Sequence, residues 1–466
     1  MRKNISTLAI VFLGLMVGLF TVSCEKNQQV ADRDLNAGAL AVLHIPTDAQ
    51  GRIVPNASGN VLNLSASNTY LLDSVTRVPA GYTLNIPAGT TIQTGTARTY
   101  TVVNPLDPSD VETRSIAGVL VVEKGGKLNA NGTATAPVVF TAASSSPQAG
   151  DFGGIIILGN AKTNKLGTQE IEGLPAAPTP GGNTYGSDAT KNTESSGSLT
   201  YVRIEYPGLR LFENQEINGL TLGGVGSGTT LSHIQVLWSA DDGFEFFGGT
   251  VNADYLVANS NDDDDFDFDF GYSGTISHSI ALKDPSSTHS ISGGSSDANG
   301  IESDNDGSGS GATPVTTAKL DHVTILGYPS SSTDLRNGGR IRRASDIRIT
   351  NSIIAGFPGG LSLESAASSA SFNYSILHAF TALYPGSPFT PSPTGVNTST
   401  ASTGVGTVLG LGANPFYTGT FNPAHLTPIA APANTGSSTS GYRGAVPTGA
   451  ANNWVVNGIN DGWLFL

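Results

Sequence analysis

A pattern of phenylalanines and acidic residues occurs twice in this chain at a spacing of 22 residues. When segments 240–247 and 262–269 are aligned, Phe244 corresponds to Phe266, and Phe246 corresponds to Phe268. Alternate residues of a strand lie on one face, so these pairs would stack from coil to coil inside a solenoid. The repeat predicts an all-β fold, a right-handed parallel β-helix with coils of about 22 residues.

A second repeat supports the same architecture. The pattern apolar-x-His/Asn-x-x-apolar begins at four positions, Leu231, Ile276, Leu320 and Ile349. The intervals of 45, 44 and 29 residues correspond to one or two coils with inserted loops. His233, His278 and His322 occupy equivalent positions in this pattern. We therefore expect these histidines to form a ladder rather than three separate catalytic sites.

The composition agrees with short strands and disfavours some partners. The 466 residues include 58 Gly and 25 Pro, which weaken helices, and the 38% hydrophobic content is sufficient for a packed core. The chain has 37 acidic and 23 basic side chains, and its net charge is -14. We expect no nucleic-acid partner, because this charge repels phosphate backbones. Cations and neutral ligands remain candidates.

The N-terminal residues have the pattern of an export signal. Arg2 and Lys3 precede an apolar run, residues 8–20, that is too short to span a membrane. Cys24 follows and is the only cysteine of the sequence, so its thiol is expected to have a covalent role other than an internal disulfide. We predict a lipoprotein signal peptide at 1–23, lipid on Cys24, a tether at 24–50, and a β-helix domain at 51–466 with a loop-rich C-terminal cap.

Four segments are each rich in glycine or in acidic residues: residues 152–160, 216–225, 242–252 and 262–271. They resemble the right-handed β-helix surface lipoproteins of Bacteroidota, and the resemblance covers about residues 60–466. It implies the β-helix fold and an outer-membrane lipoprotein exposed at the cell surface. It implies no particular activity, because most members of this group are uncharacterised.

The 22-residue alignment also brings acidic residues of two coils together. It pairs Asp241 with Asp263, Asp242 with Asp264 and Glu245 with Asp267. Parallel neighbours lie about 4.8 Å apart, and carboxylates at that distance repel one another unless they take up protons or a cation. Oxygen ligands without a second cysteine favour Ca²⁺ over zinc or copper, so these six acids are predicted to bind calcium. The alternative is a solvated acidic row on the outside of the coil.

An enzymatic interpretation uses some of the same acids. The sequence weakly resembles β-helix proteins of the polygalacturonase and pectate-lyase type at five positions, Asp242, Asp263, Asp264, Arg340 and Arg342. Their Gly-His-Gly and Trp-Ile-Asp-His motifs are missing, however. We therefore expect a non-catalytic, calcium-stabilised protein that binds a glycan or docks with a TonB-dependent transporter. A glycoside hydrolase or polysaccharide lyase that acts on acidic polysaccharides remains the alternative.

Overall fold

Short apolar strands pair in parallel with the equivalent strand of the next coil and build a three-sided solenoid. The structure is a computed structural model that describes residues 40–466 except 213–214, 293, 368, 387–393, 419–420 and 436–439. The predicted signal peptide, Cys24 and most of the tether lie outside the described residues. The right-handed parallel β-helix predicted from the sequence is confirmed.

The first face of the solenoid carries the acidic residues. Its strands are Val75–Val78, Val119–Val122, Gly154–Leu158, Leu220–Gly223, Phe244–Phe247, Phe266–Asp269, Ile301–Ser303, Asn337–Arg342 and the end of Ile353–Glu364.

The second face follows in each coil. Its strands are Val61–Asn63, Thr83–Pro87, Lys127–Asn131, Thr275–Ser277, Lys319–Asp321, Arg348–Thr350, Ser371–Asn373 and the first parts of Gly197–Glu205, Thr230–Leu237 and Ala253–Asn259.

The third face completes the coil. Its strands are Ala41–His44, Asn68–Leu72, Thr91–Thr94, Val138–Thr141, Ile280–Leu282, Thr324–Leu326, Ile376–Ala382, Asn397–Ser399, the start of Ile353–Glu364 and the second parts of the three long strands just named.

The predicted aromatic stacks lie in the core. Phe244 pairs with Phe266 and Phe246 with Phe268 in adjacent strands. Their ring centroids are 5.6 Å and 5.2 Å apart, and all four side chains are fully buried. These contacts confirm the 22-residue register on which the acidic alignment depends.

The second sequence repeat follows the second face. Leu231 is adjacent to Ala253, which is adjacent to Ile276, so the first interval contains two coils. Ile276 is adjacent to Leu320, so the interval of 44 residues is one coil with a long inserted loop. Sequence spacing could not distinguish these cases because a loop can lengthen a coil without disturbing its strand pairing.

The predicted histidine ladder forms at the corner between the second and third faces. His233 stacks on Tyr255 at 4.4 Å, Tyr255 on His278 at 5.4 Å and His278 on His322 at 5.2 Å. The histidines share a left-handed backbone conformation, with φ of 56°, 49° and 55°. A structural role is confirmed, with a tyrosine inserted that the histidine pattern did not predict.

Both ends of the domain differ from the prediction. Ala41–His44 pairs with Asn68–Leu72, so the solenoid begins before the predicted boundary at residue 51. The last part of the chain contains helices Val405–Leu409 and Trp454–Asp461 and the 3₁₀ helices Pro423–Leu426 and Ala450–Asn452. It packs along the outside of the third face instead of forming only an end cap, because apolar side chains such as Val257 and Ile353 point outward there.

Loops cover the N-terminal half of the first face in a similar way. They contain the antiparallel pairs Arg98–Val103 with Val111–Ile116, Gln169–Glu170 with Thr184–Tyr185, and Leu209–Phe212 with Gln215–Ile217, and the 3₁₀ helix Ala189–Lys191. A further short pair, Ile291–Ser292 with Ser295–Ser296, lies in the long inserted loop. Within the described part of the chain, no helix is both long enough and apolar enough to span a membrane.

Candidate functional site

A ladder of Asn and Asp side chains marks the turn before each strand of the first face. Its members, in coil order, are Asn218, Asp242, Asp264, Asn299 and Asn337. The Oδ1 atom of each of the first four accepts a hydrogen bond from the backbone N–H of the next member, at 3.2, 2.8, 2.7 and 3.2 Å. These bonds satisfy buried backbone donors. The ladder confirms that Asp242 and Asp264 are neighbours, and it shows that their Oδ1 atoms have a structural role.

Five of the six predicted ligands form two overlapping groups. Asp241, Asp242 and Asp263 each offer an oxygen within 4.8 Å of the others, and Asp242, Glu245 and Asp267 do the same. Asp242 is therefore shared. The sixth residue, Asp264, lies beside them through its bond to Asp242.

The strand residues of these groups are held in register. Glu245 lies directly opposite Asp267 on the first face. Glu245 Oε2 also accepts a hydrogen bond from Asn218 Nδ2, which orients its carboxylate. Asp267 lies opposite Glu302 in the next coil, so the row has a third acidic layer.

Burial makes this row electrostatically costly. Asp242, Glu245 and Asp264 are 8%, 6% and 5% exposed. Burial, together with the neighbouring carboxylates, raises their pKa values well above the ordinary range. Burial and then Glu302 raise the pKa of Asp263 to about 7. Without a cation, the folded protein would have to keep part of this row protonated at neutral pH.

The covering loops add further acids that the sequence did not indicate. Burial, Glu216 and Asp269 raise the pKa of Glu172 to about 8. Glu172 in turn contributes to the raised pKa of Glu245, and Glu216 contributes to that of Asp241. Both residues lie in the covering loops, outside the strands of the three faces, so only the loop conformation brings them to the row.

The arginines of the enzymatic alternative lie beyond the third acidic layer. Arg340 is opposite Glu302 and forms an ion pair with Asp297 at 3.0 Å. Arg342 pairs with Asp304 at 2.9 Å and also contacts Glu302. Burial lowers the pKa of Arg342, but Glu302 and Asp304 outweigh burial and the net shift is upward. The structure thus brings the predicted acids together and places the two arginines in ion pairs that share Glu302.

A buried lysine forms an ion pair with Asp265, in the turn before the strand Phe266–Asp269. Lys283 Nζ lies 3.4 Å from Asp265 Oδ2, and both side chains are fully buried. The same ammonium group donates to the backbone carbonyl of Asp263. Sequence analysis missed Lys283 because it lies on the third face, about 20 residues away in the chain. A recurring Asx-Gly-apolar motif at 218, 242 and 299 could have revealed the ladder.

Comparison with known protein families agrees with this architecture. Residues 56–401 match the family described as the pectate-lyase-like β-helix domain. No curated protein and no solved structure matches the chain. The match spans most of the sequence and includes every coil that carries the acidic row. The chain therefore belongs to the pectate-lyase-like β-helix domain family.

Proposed function

We propose that this protein is a non-catalytic, lipid-anchored β-helix of the outer membrane that binds Ca²⁺ through its acidic row and binds a glycan. The observation that carries the calcium proposal is the pair of three-carboxylate groups that share Asp242. Ca²⁺ is bound by six to eight oxygens at 2.3–2.6 Å. Oxygens within 4.8 Å of one another can therefore contact a single ion.

The choice of aspartate within the ladder supports a role for charge. Asn218 and Asn299 accept the same backbone hydrogen bond that Asp242 and Asp264 accept. An amide oxygen is thus sufficient for the ladder. Within the ladder, aspartate stands only in the two coils that supply the three-carboxylate groups, where it adds repulsion. Bound Ca²⁺ would offset this repulsion, since carboxylates are strong ligands for this ion.

The glycan proposal is supported by the family match. Pectate-lyase-like β-helix domains are compatible with carbohydrate binding or carbohydrate-active roles. Location at the cell surface is supported by the sequence alone, through the export signal and Cys24. Docking with a TonB-dependent transporter is a further proposed role, and it depends on the same lipid anchor.

Cleavage of an acidic polysaccharide is the second candidate. It is favoured by the pKa of Asp263, which at about 7 would suit a carboxyl group that donates a proton. The raised pKa of Arg342 argues against its use as the base of a lyase. A carboxylate row that binds Ca²⁺ also has less capacity for acid and base catalysis.

Calcium titration of chelator-treated protein tests the proposal. Calorimetry should detect Ca²⁺ binding, and the double variant Asp242→Asn with Asp267→Asn, which removes a ligand from both groups, should lose it. Asp461→Asn removes an exposed carboxylate on the C-terminal helix and serves as the control. If the double variant retains calcium binding, or if the wild type has none, the calcium proposal is wrong. Loss of uronate-polymer cleavage in the double variant would instead support the enzyme.

A further inference from the structure

A cavity of about 530 Å³ lies among the covering loops of the first face. Three separate segments line it: the hairpin strand at 98–103, the loop 165–176 and the hairpin strand at 209–212. Phe270, from the coil of Asp267, also lines it. Its volume is within the range of small-ligand sites, about 300–1,000 Å³.

Tyr185 is the central polar residue of this cavity. The residue is 1% exposed and lines the cavity. The structure shows no hydrogen bond between its hydroxyl and a described residue, and the hydroxyl oxygen is open to the cavity rather than sealed in the core. The hydroxyl is therefore available to a ligand group as donor and acceptor.

The position of Tyr185 depends on the first face. Its ring packs on Phe247 with centroids 6.0 Å apart. A Cβ atom at Gly223 would lie 2.8 Å from Tyr185 Cγ, so only glycine allows the ring to approach the strand this closely. The hydroxyl is thereby held in the electrostatic field of Asp269, Glu245 and Glu172.

The rest of the lining distinguishes among ligand classes. Leu174, Leu211 and Phe212 supply apolar surface, and Gln169 supplies an amide. Two acids, Glu170 and Glu172, and one lysine, Lys165, line the cavity, so an anionic sugar finds no net positive charge there. The Lys165 ammonium contacts the ring of Phe270, with Nζ 4.0 Å from the ring centroid. Apolar and aromatic surface with amide, carboxyl and phenol groups suits the hydroxyls and C–H faces of an uncharged sugar.

We propose that this cavity binds one neutral sugar ring of a glycan, with the Tyr185 hydroxyl as a direct hydrogen-bond partner of a sugar hydroxyl. This inference rests on the glycan-binding function proposed above. It adds the binding site and the ligand class, and it excludes a uronate unit from this position.

Binding to a glycan panel tests the inference. The probes are neutral oligosaccharides from galactan, mannan and dextran, with oligogalacturonate as the acidic probe, measured on the full protein with Ca²⁺ present. At least one neutral probe should bind. Tyr185→Phe removes only the hydroxyl and should weaken its affinity about tenfold, which is the effect of one lost hydrogen bond. Tyr201→Phe, at the distant histidine corner, should retain wild-type affinity.

The outcomes separate the inference from the proposed function. If glycans bind but Tyr185→Phe has wild-type affinity, the cavity assignment is wrong and glycan binding stands. Binding of oligogalacturonate alone likewise overturns the neutral-sugar inference. If no probe binds, both the inference and the glycan-binding proposal fail. The melting temperature of Tyr185→Phe, compared with that of the wild type, establishes whether any loss of affinity reflects unfolding.

Discussion

Asp242→Asn is expected to have opposite effects on stability with and without calcium. Asp242 belongs to both three-carboxylate groups, while its Oδ1 accepts the backbone N–H of Asp264 at 2.8 Å. Asparagine has nearly the same shape and keeps an oxygen for that hydrogen bond. The substitution therefore removes the charge and preserves the ladder, as the asparagines at other ladder positions do.

The magnitudes follow from the spacing of the oxygens. Two carboxylates about 4.8 Å apart repel by about 3 kcal/mol at an effective dielectric constant of about 20. Partial protonation of the row reduces this value, so the calcium-free variant should be more stable than the wild type by about 1–3 kcal/mol. In the wild type, calcium at 100 times its Kd should add about 2.7 kcal/mol. The variant should lose most of this gain because both groups lose a shared ligand.

Thermal unfolding in chelator and in saturating Ca²⁺ measures both effects. For a chain of this size, a change of 1 kcal/mol corresponds to about 1 °C in Tm. We expect Asp242→Asn to raise the Tm in chelator and to abolish the increase produced by Ca²⁺. Asn299→Asp, which keeps the ladder oxygen and adds a charge beside Glu302, should lower the Tm in chelator.

Two results would refute this reasoning. A Tm of Asp242→Asn that is lower than that of the wild type in chelator would show that the aspartate stabilises the calcium-free fold. A calcium response equal to that of the wild type would show that Asp242 is not a ligand. Asp461→Asn should change neither measurement.

Three other predictions concern the pH response, the buried ion pair and the anchor. The pKa of Asp263 is about 7 and that of Glu302 about 8, and both exceed the values of the unfolded chain. In calcium-free buffer, the free energy of unfolding should therefore fall as the pH rises from about 4 to 8, and saturating Ca²⁺ should suppress this decline. A Tm that rises over this pH range would contradict the assignment. Lys283→Met leaves Asp265 buried without its countercharge and should cost about 3–5 kcal/mol in denaturant unfolding, most of which a second change, Asp265→Asn, should restore. Cys24→Ala should move the protein from the membrane fraction to the soluble fraction, and unchanged partitioning would exclude a lipid on this residue.

The sequence by itself determined the solenoid and the alignment of the acids. In a parallel β-helix, each residue contacts its equivalent in the next coil, so a pattern repeated at 22 residues is directly a list of neighbours. The stacking of Phe244 on Phe266 and the pairing of Glu245 with Asp267 follow from this alone. An inserted loop, such as the one between Ile276 and Leu320, hides the register without altering it.

Only the tertiary structure decided what lies on the outside of the coils. The loops that bring Glu172 and Tyr185 to the acidic row have no repeat, and their positions depend on apolar contacts distant in sequence. Lys283 reaches Asp265 across the turn between two faces, a contact that the repeat within one face does not encode. Coil register is a nearest-neighbour property that a periodic sequence can specify, whereas loop placement depends on the packing of the whole assembled surface.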